Sequence, residues 1–277
     1  MLLKGLEIVL VKTRFPENIG MAARACVNMG CPVLRLVEPE RWDREKAAPL
    51  ATAKGLPILQ AVALHPALED AVAKSTLVIG TTARGGGWRK GLLTPTQAAR
   101  EVAVALQRAE RVSLVFGPED RGLSNDDIRH CPRLVTIPTD AAASSLNLAQ
   151  AVLLMTYECA KAVRELRNAG DADARELQNQ PVLACASRDG SAADKKITAA
   201  EYERLMCALK DALVRLDCLH GANTEYFFQP WRRMLQRAGL LRHEYDAFMG
   251  LCRQVRNKIA REVSGRREED CHERRHQ

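Results

Sequence analysis

Three short runs in the sequence combine residue types that can hold a phosphate, a sugar or a small charged cofactor. The first is Asn18-Ile19-Gly20-Met21-Ala22-Ala23-Arg24. Asn18 has a side-chain oxygen able to cap a helix, and Gly20 permits close backbone approach. Arg24 carries a rigid fork of donors suited to phosphate, although alone it reads more readily as a surface charge. The second is Phe116-Gly117-Pro118-Glu119-Asp120-Arg121-Gly122-Leu123-Ser124. Here a turn carrying acids runs into a serine that can cap a helix, and taken alone it is equally a well-formed turn. The third is Ile137-Pro138, followed by Ser144-Ser145-Leu146-Asn147-Leu148-Ala149-Gln150. Two hydroxyls and an amide exceed what a single helix cap requires, which points to a site.

Each run follows a β-rich segment. Strands are expected at Glu7–Val11, Val33–Val37, Thr76–Gly80, Val112–Phe116 and Leu134–Ile137, most of them continuous apolar runs. Such runs suit a parallel sheet covered by helices on both faces. Helices are expected at Asn18–Met29, Thr94–Arg108 and Leu146–Arg167, and the stretch Trp42–Gln60 reads as a short helix with room for a short strand. The alternation marks an α/β domain, and loops at the carboxyl edge of such a sheet are where ligands usually bind.

The 277 residues are 47% hydrophobic and 27% charged, which excludes disordered, collagenous and coiled-coil classes. Aromatic residues make up 4%, which argues against broad stacking platforms for single-stranded nucleic acid. The net charge of +7 suits a polyanionic partner. Nine cysteines, an odd number without a CxxC pair, read as reduced, mostly buried thiols of a cytosolic protein. Neither GxGxxG nor GxxxxGK[ST] occurs, and Gly85-Gly86-Gly87 reads as a mobile turn. The six histidines share no ligand spacing beyond His272 and His276 in the charged tail, so no metal is expected. No stretch reads as a signal peptide or membrane span.

Residues 169–197, rich in Asp, Ala, Gln, Ser and Gly, read as a linker between a domain at 1–168 and a helical extension at 198–277. From Pro230 to Arg261 the extension carries Arg232, Arg233, Arg237, Arg242, Arg253, Arg256, Lys258 and Arg261, opposed by Glu244 and Asp246 alone. A charge run is commonly a solvated helix face; at this density the reading leans to phosphate contacts.

The order NxGxxAR, FGxExxGLS and IP with SSLNLAQAV resembles the three motifs of the SPOUT superfamily of RNA methyltransferases, in its SpoU/TrmH branch. The resemblance covers roughly residues 5–165, and the run Gln229–Arg237 with its helical surroundings is similar to the extension of TrmJ-type tRNA methyltransferases. It implies a parallel sheet flanked by helices with a C-terminal trefoil knot, plus a small all-α extension that binds RNA. It implies S-adenosylmethionine as cofactor, held by Thr81, Thr82, Ala83, Gly117, Ile137, Ser144, Ser145 and Leu146. Asn18, Arg24, Glu119, Ser145 and Asn147 would surround the transferred methyl and the ribose. Arg24, Arg232, Arg233, Arg237 and Arg242 would contact RNA. The implied reaction is methylation of the ribose 2′-hydroxyl of cytidine or uridine at nucleotide 32 in the tRNA anticodon loop. Another tRNA or ribosomal RNA nucleotide is the first alternative, and a non-catalytic RNA-binding protein the second. The implied setting is a cytoplasmic homodimer acting on tRNA, with no DNA or membrane partner.

Overall fold

The computed structural model describes residues 1–83, 91–140, 142, 145–168, 195–219 and 223–273, with side chains to residue 260. The Gly85–Gly87 turn, Ser144, most of the linker and the end of the tail therefore lie outside the described residues. The chain divides into two compact units, one of residues 1–184 with 198–200, the other of residues 185–197 with 201–277.

The first unit is built on six parallel strands, β1 (Leu6–Val11), β2 (Val33–Val37), β3 (Ala63–His65), β4 (Leu77–Thr81), β5 (Val112–Phe116) and β6 (Arg133–Val135). Their order across the sheet is β3-β2-β1-β5-β4-β6. The unbroken apolar runs have the cause expected of a doubly covered sheet. Leu6, Ile8 and Leu10 of β1 join one core cluster, while Val9 and Val11 join another on the opposite face. Helices α1 (Pro16–Met29), α2 (Arg44–Gln60), α4 (Pro95–Gln107) and α6 (Leu148–Asn168) cover the first face. The short α3 (Leu68–Val72) and α5 (Asn125–Arg129) cover the second.

Two sequence expectations are corrected here. Trp42–Gln60 holds one helix broken at Thr52, where φ is +61°, with Pro49 and Pro57 inside it; the short strand follows at Ala63–His65. Gly20 does serve a close approach, but to α2 rather than to a ligand, because a Cβ there would stand 2.1 Å from the Ala47 carbonyl oxygen.

The second unit contains α7 (Ala199–Arg215) from Glu201 onward, α8 (Thr224–Ala238) and α9 (Arg242–Glu273). Its core gathers Leu205, Met206, Phe228, Leu235, Leu240 and Tyr245. Phe228 and Leu235 lie seven residues apart, on one stripe of α8.

Candidate active site at the carboxyl edge of the sheet

The loops that leave β1, β4, β5 and β6 emerge at one edge of the sheet, as parallel strands require. The β1 loop enters α1 with Pro16 at its first turn and Phe15 at the N-cap position. Asn18 therefore lies inside the helix and does not cap it, contrary to the sequence expectation. Its backbone N–H donates to the Phe15 carbonyl, and its buried side chain faces away to other loops.

Those contacts form a directed relay. The Asn18 Nδ2 donates to Glu119 Oε1 at 2.6 Å, and the Asn147 Nδ2 donates to Asn18 Oδ1 at 3.0 Å. Asn147 Oδ1 in turn accepts from the backbone N–H groups of Ala149 and Gln150, so Asn147 caps α6. A carboxylate only accepts, which forces the amide of Asn18 toward Glu119, and each later orientation follows from the one before. The second oxygen, Glu119 Oε2, accepts from the Arg14 backbone N–H at 3.2 Å. One carboxylate thus joins the β5 loop, the start of α1 and the start of α6. Placing it near the first turn of α1 is favourable for the helix dipole.

Arg14 escaped the sequence reading. Its guanidinium donates to Asp120 at 3.0 Å and pairs with Glu40 at 3.2 Å, and Arg121 reaches the same Glu40 at 3.1 Å. These exposed pairs tie the β5 loop to the loop after β2. The β5 turn is tight: a Cβ on Gly117 would lie 2.2 Å from the Leu123 nitrogen, and Gly122 has φ +65°. Ser124 then caps α5, with its Oγ accepting from Asp127 N–H while Asp127 accepts in return.

Beside the relay lies a cleft of about 270 Å³. Of the predicted cofactor residues, Thr81, Thr82, Ala83, Gly117, Ile137, Ser145 and Leu146 line it, as does Glu119; Ser144 is outside the described residues. Phe116, Leu123 and Leu148, which stand in the motif runs without a site role assigned, also line it, and so does Thr139, which lies outside those runs. Thr81 is fixed by donating to the Val115 carbonyl, and Thr82 N–H donates to Val135. The wall therefore mixes hydroxyls, two carboxylates (Glu119 and Asp120) and the Arg121 guanidinium with aliphatic side chains. Asn18 and Asn147 support the cleft without lining it. Arg24 is exposed, six residues along α1 from Asn18, and its guanidinium has no hydrogen bond or ion pair among the described residues. Among the described residues no group of three His, Cys, Asp or Glu side chains can hold a metal, and no helix is long and apolar enough to cross a membrane.

A model of the SpoU rRNA methylase family matches residues 5–157, a span that holds all three loops. The chain belongs to the SpoU methylase family. Among curated members, a tRNA (cytidine/uridine/adenosine-2′-O-)-methyltransferase TrmJ of Pseudomonas aeruginosa is 32% identical over 270 residues, covering 97% of this chain and the whole of that protein. A tRNA (cytidine/uridine-2′-O-)-methyltransferase TrmJ of Pectobacterium atrosepticum is 35% identical over 254 residues, 92% of this chain and 98% of its own. The crystal structure of TrmJ from Z. mobilis ZM4 superposes with a TM-score of 0.72 at 28% identity, covering 90% of this chain and 98% of that one. The likeness thus extends beyond the methylase span into the helical unit.

The arginines predicted to meet RNA divide into two kinds. Arg232 is buried, its guanidinium paired with Glu203 and lying over the Tyr202 ring 5.7 Å from its centroid. Arg242 pairs with Glu201 at the start of α9 and lies over the Tyr245 ring. The expectation of a phosphate contact at Arg232 is corrected on this ground, because the charge is already neutralised inside the unit. Arg233 is half-buried and Arg237 exposed.

Proposed function

We propose that this chain methylates the ribose 2′-hydroxyl of cytidine or uridine at nucleotide 32 in the tRNA anticodon loop, with S-adenosylmethionine as donor. The observation that carries this reading is the Asn18–Glu119–Asn147 relay, which links all three motif segments beside a cleft that the second and third of them line. The full-length relatives named as tRNA 2′-O-methyltransferases support the reaction and the substrate class.

The cleft suits the donor chemically. Leu123, Ile137 and Leu146 offer apolar contact to an adenine ring, Thr81 and Thr82 offer hydroxyls, and the Glu119 carboxylate, which has no cationic partner among the described residues, complements positive charge. When bound, S-adenosylmethionine supplies a methyl group already activated on a sulfonium. The protein is then left with alignment, which alone is worth orders of magnitude in rate. Asn18, Glu119 and Asn147 hold the loops in register, and Ser145 stands at the cleft wall where a ribose would enter. Arg24 anchors an RNA phosphate and stabilises the developing alkoxide. A guanidinium keeps its charge in proteins and is a poor base, so the proton leaves to water or a phosphate oxygen. An unpaired loop lets a ribose be splayed out, which a duplex resists.

The same reading includes a C-terminal trefoil knot, a homodimer and a cytoplasmic location. Support for the knot is that β6 lies beyond β4 at the sheet edge while α6 returns to pack on α1 and α4. Support for the dimer is the exposure of Leu153 and Tyr157 on α6. The Pseudomonas relative's name adds adenosine to the nucleosides accepted, so acceptance of adenosine at the same nucleotide is the second reading.

The test is methyl transfer to tRNA transcripts carrying C, U, A or G at nucleotide 32, read by nucleoside mass spectrometry. Transfer to C and U and none to G is expected; modification at another nucleotide overturns the assignment. Arg24→Lys tests the anchor: turnover should fall and tRNA affinity weaken. Near-full turnover with unchanged affinity rules the anchor out.

A further inference from the structure

Helix α8 concentrates aromatic residues in a way that the 4% average conceals. Four of the chain's twelve Phe, Tyr and Trp residues lie between positions 226 and 231. Phe228 points into the core of the second unit, together with Leu235 one stripe along. The stripe one residue earlier points outward. Phe227, Trp231 and Met234 follow i, i+4, i+7 spacing and are 58%, 49% and 46% exposed, and Tyr226 beside them is 69% exposed. Tyr226 and Phe227 meet edge to face with ring centroids 5.5 Å apart, so the exposed rings are ordered against one another.

The charge beside this face has one sign. Tyr226, Pro230, Arg233 and Arg237 form the adjacent row, again at i, i+4, i+7 and i+11. Arg237 is exposed and has no ion-pair partner among the described residues. The only acid in α8 is Glu225, which is already taken by Lys210 at 2.6 Å and by Gln229 at 2.9 Å. A row of exposed rings next to the unpaired Arg237 guanidinium complements a polymer with flat π-faces and a negative backbone. That is the chemistry of unpaired RNA, where rings take bases and arginines take phosphates.

We propose that the Tyr226–Phe227–Trp231 face of α8 is a stacking surface for unpaired bases of the RNA substrate, with Arg237 on the adjoining phosphate. This rests on the tRNA reading above and shifts the main RNA contact of α8 from its arginines to its rings. It also reverses the inference drawn from low aromatic content. A protein partner, including a second copy of this chain, is the competing occupant, since exposed Trp, Tyr and Arg also form protein interfaces.

The experiment uses the full-length chain and the tRNA anticodon stem-loop, with binding measured directly and sedimentation measured in parallel. Trp231→Ala should weaken stem-loop binding roughly 5- to 150-fold, the range produced by removing one stacking ring, while Trp231→Phe recovers most of it. S-adenosylmethionine affinity and the sedimentation coefficient should not change. Replacing loop nucleotides one at a time by abasic sites should erase the difference between wild type and Trp231→Ala at one position or more, an effect that a merely structural ring does not produce. Arg237→Ala should lower the slope of log affinity against log salt by about 0.7, whereas Trp231→Ala leaves the slope in place. If wild type binds the stem-loop and Trp231→Ala and Phe227→Ala bind it equally well, the stacking surface is overturned and the tRNA reading survives. If those variants change the oligomeric state instead, the face is a protein interface and the proposal fails. If wild type does not bind the stem-loop, the tRNA reading fails and takes the proposal with it.

Discussion

The two units of this chain use polar side chains in opposite ways. At the sheet edge, Asn18 is brought to Glu119 and Asn147 across 101 and 129 residues of sequence, and the three side chains satisfy one another. Their bonds leave the cleft walls organised before any ligand arrives. In the helical unit, Arg232 and Arg242 are used by Glu203 and Glu201 for local architecture, while Arg237 is left to solvent. A polar residue in a motif of fixed spacing therefore says more about function than a cationic residue in a dense run. In the run, the partner that decides its role lies elsewhere in the sequence.

The contrast can be broken first at the sheet edge. Glu119→Gln replaces an acceptor-only group by one that turns an N–H₂ toward either Asn18 or the Arg14 N–H. Loop register is lost on the scale of an ångström, and kcat should fall about 100-fold or more, with little change in the unfolding midpoint. Steady-state methyl transfer and thermal melting check it. A kcat within threefold of wild type would show that the relay does not position the chemistry.

The helical unit gives the next effect. Glu203→Ala leaves the Arg232 guanidinium buried without its carboxylate and should destabilise that unit by about 3 kcal/mol, read as a shifted urea transition. Arg232→Met removes the buried charge itself and should cost less, with RNA affinity unchanged. A tRNA affinity loss for Arg232→Met equal to that of Arg237→Ala would erase the distinction between the two kinds of arginine.

The smallest effect lies within the sheet. Arg35 holds the buried Glu7 at 2.6 Å and donates toward His65 Nε2 at 3.1 Å. Partial burial, then the Arg35 charge, pushes His65 below its ordinary value. A depressed histidine adds stability that is complete above its unfolded pKa of about 6.5 and is lost as pH falls through the lower folded value. His65→Gln should therefore flatten the acid side of the stability profile below about pH 6.5. An unchanged slope would mean that this histidine is not linked to folding.

The strands and the three loops were legible because each loop follows an uninterrupted apolar run, and only a sheet covered on both faces needs such runs. Asn18 was misread as a cap because the helix begins two residues earlier, at Pro16, whose fixed φ suits a first turn. Arg14 left no signal, since its key donor is a backbone N–H whose partner is 105 residues away. Strand β3 has three residues, too few to show a period. Arg232 looked like its neighbours until the fold supplied Glu203. The outward rings of α8 were visible residue by residue, but averaging them over 277 positions hid their clustering.

The most direct test of the central claim is a crystal structure of the full-length protein with S-adenosylmethionine. The account predicts the donor in the cleft between Thr81–Ala83, Gly117–Leu123 and the residues Ile137, Thr139, Ser145 and Leu146, with its methyl group presented beside the Asn18–Glu119–Asn147 relay. Donor bound elsewhere on the molecule, or a cleft that stays empty at saturating donor, would contradict it.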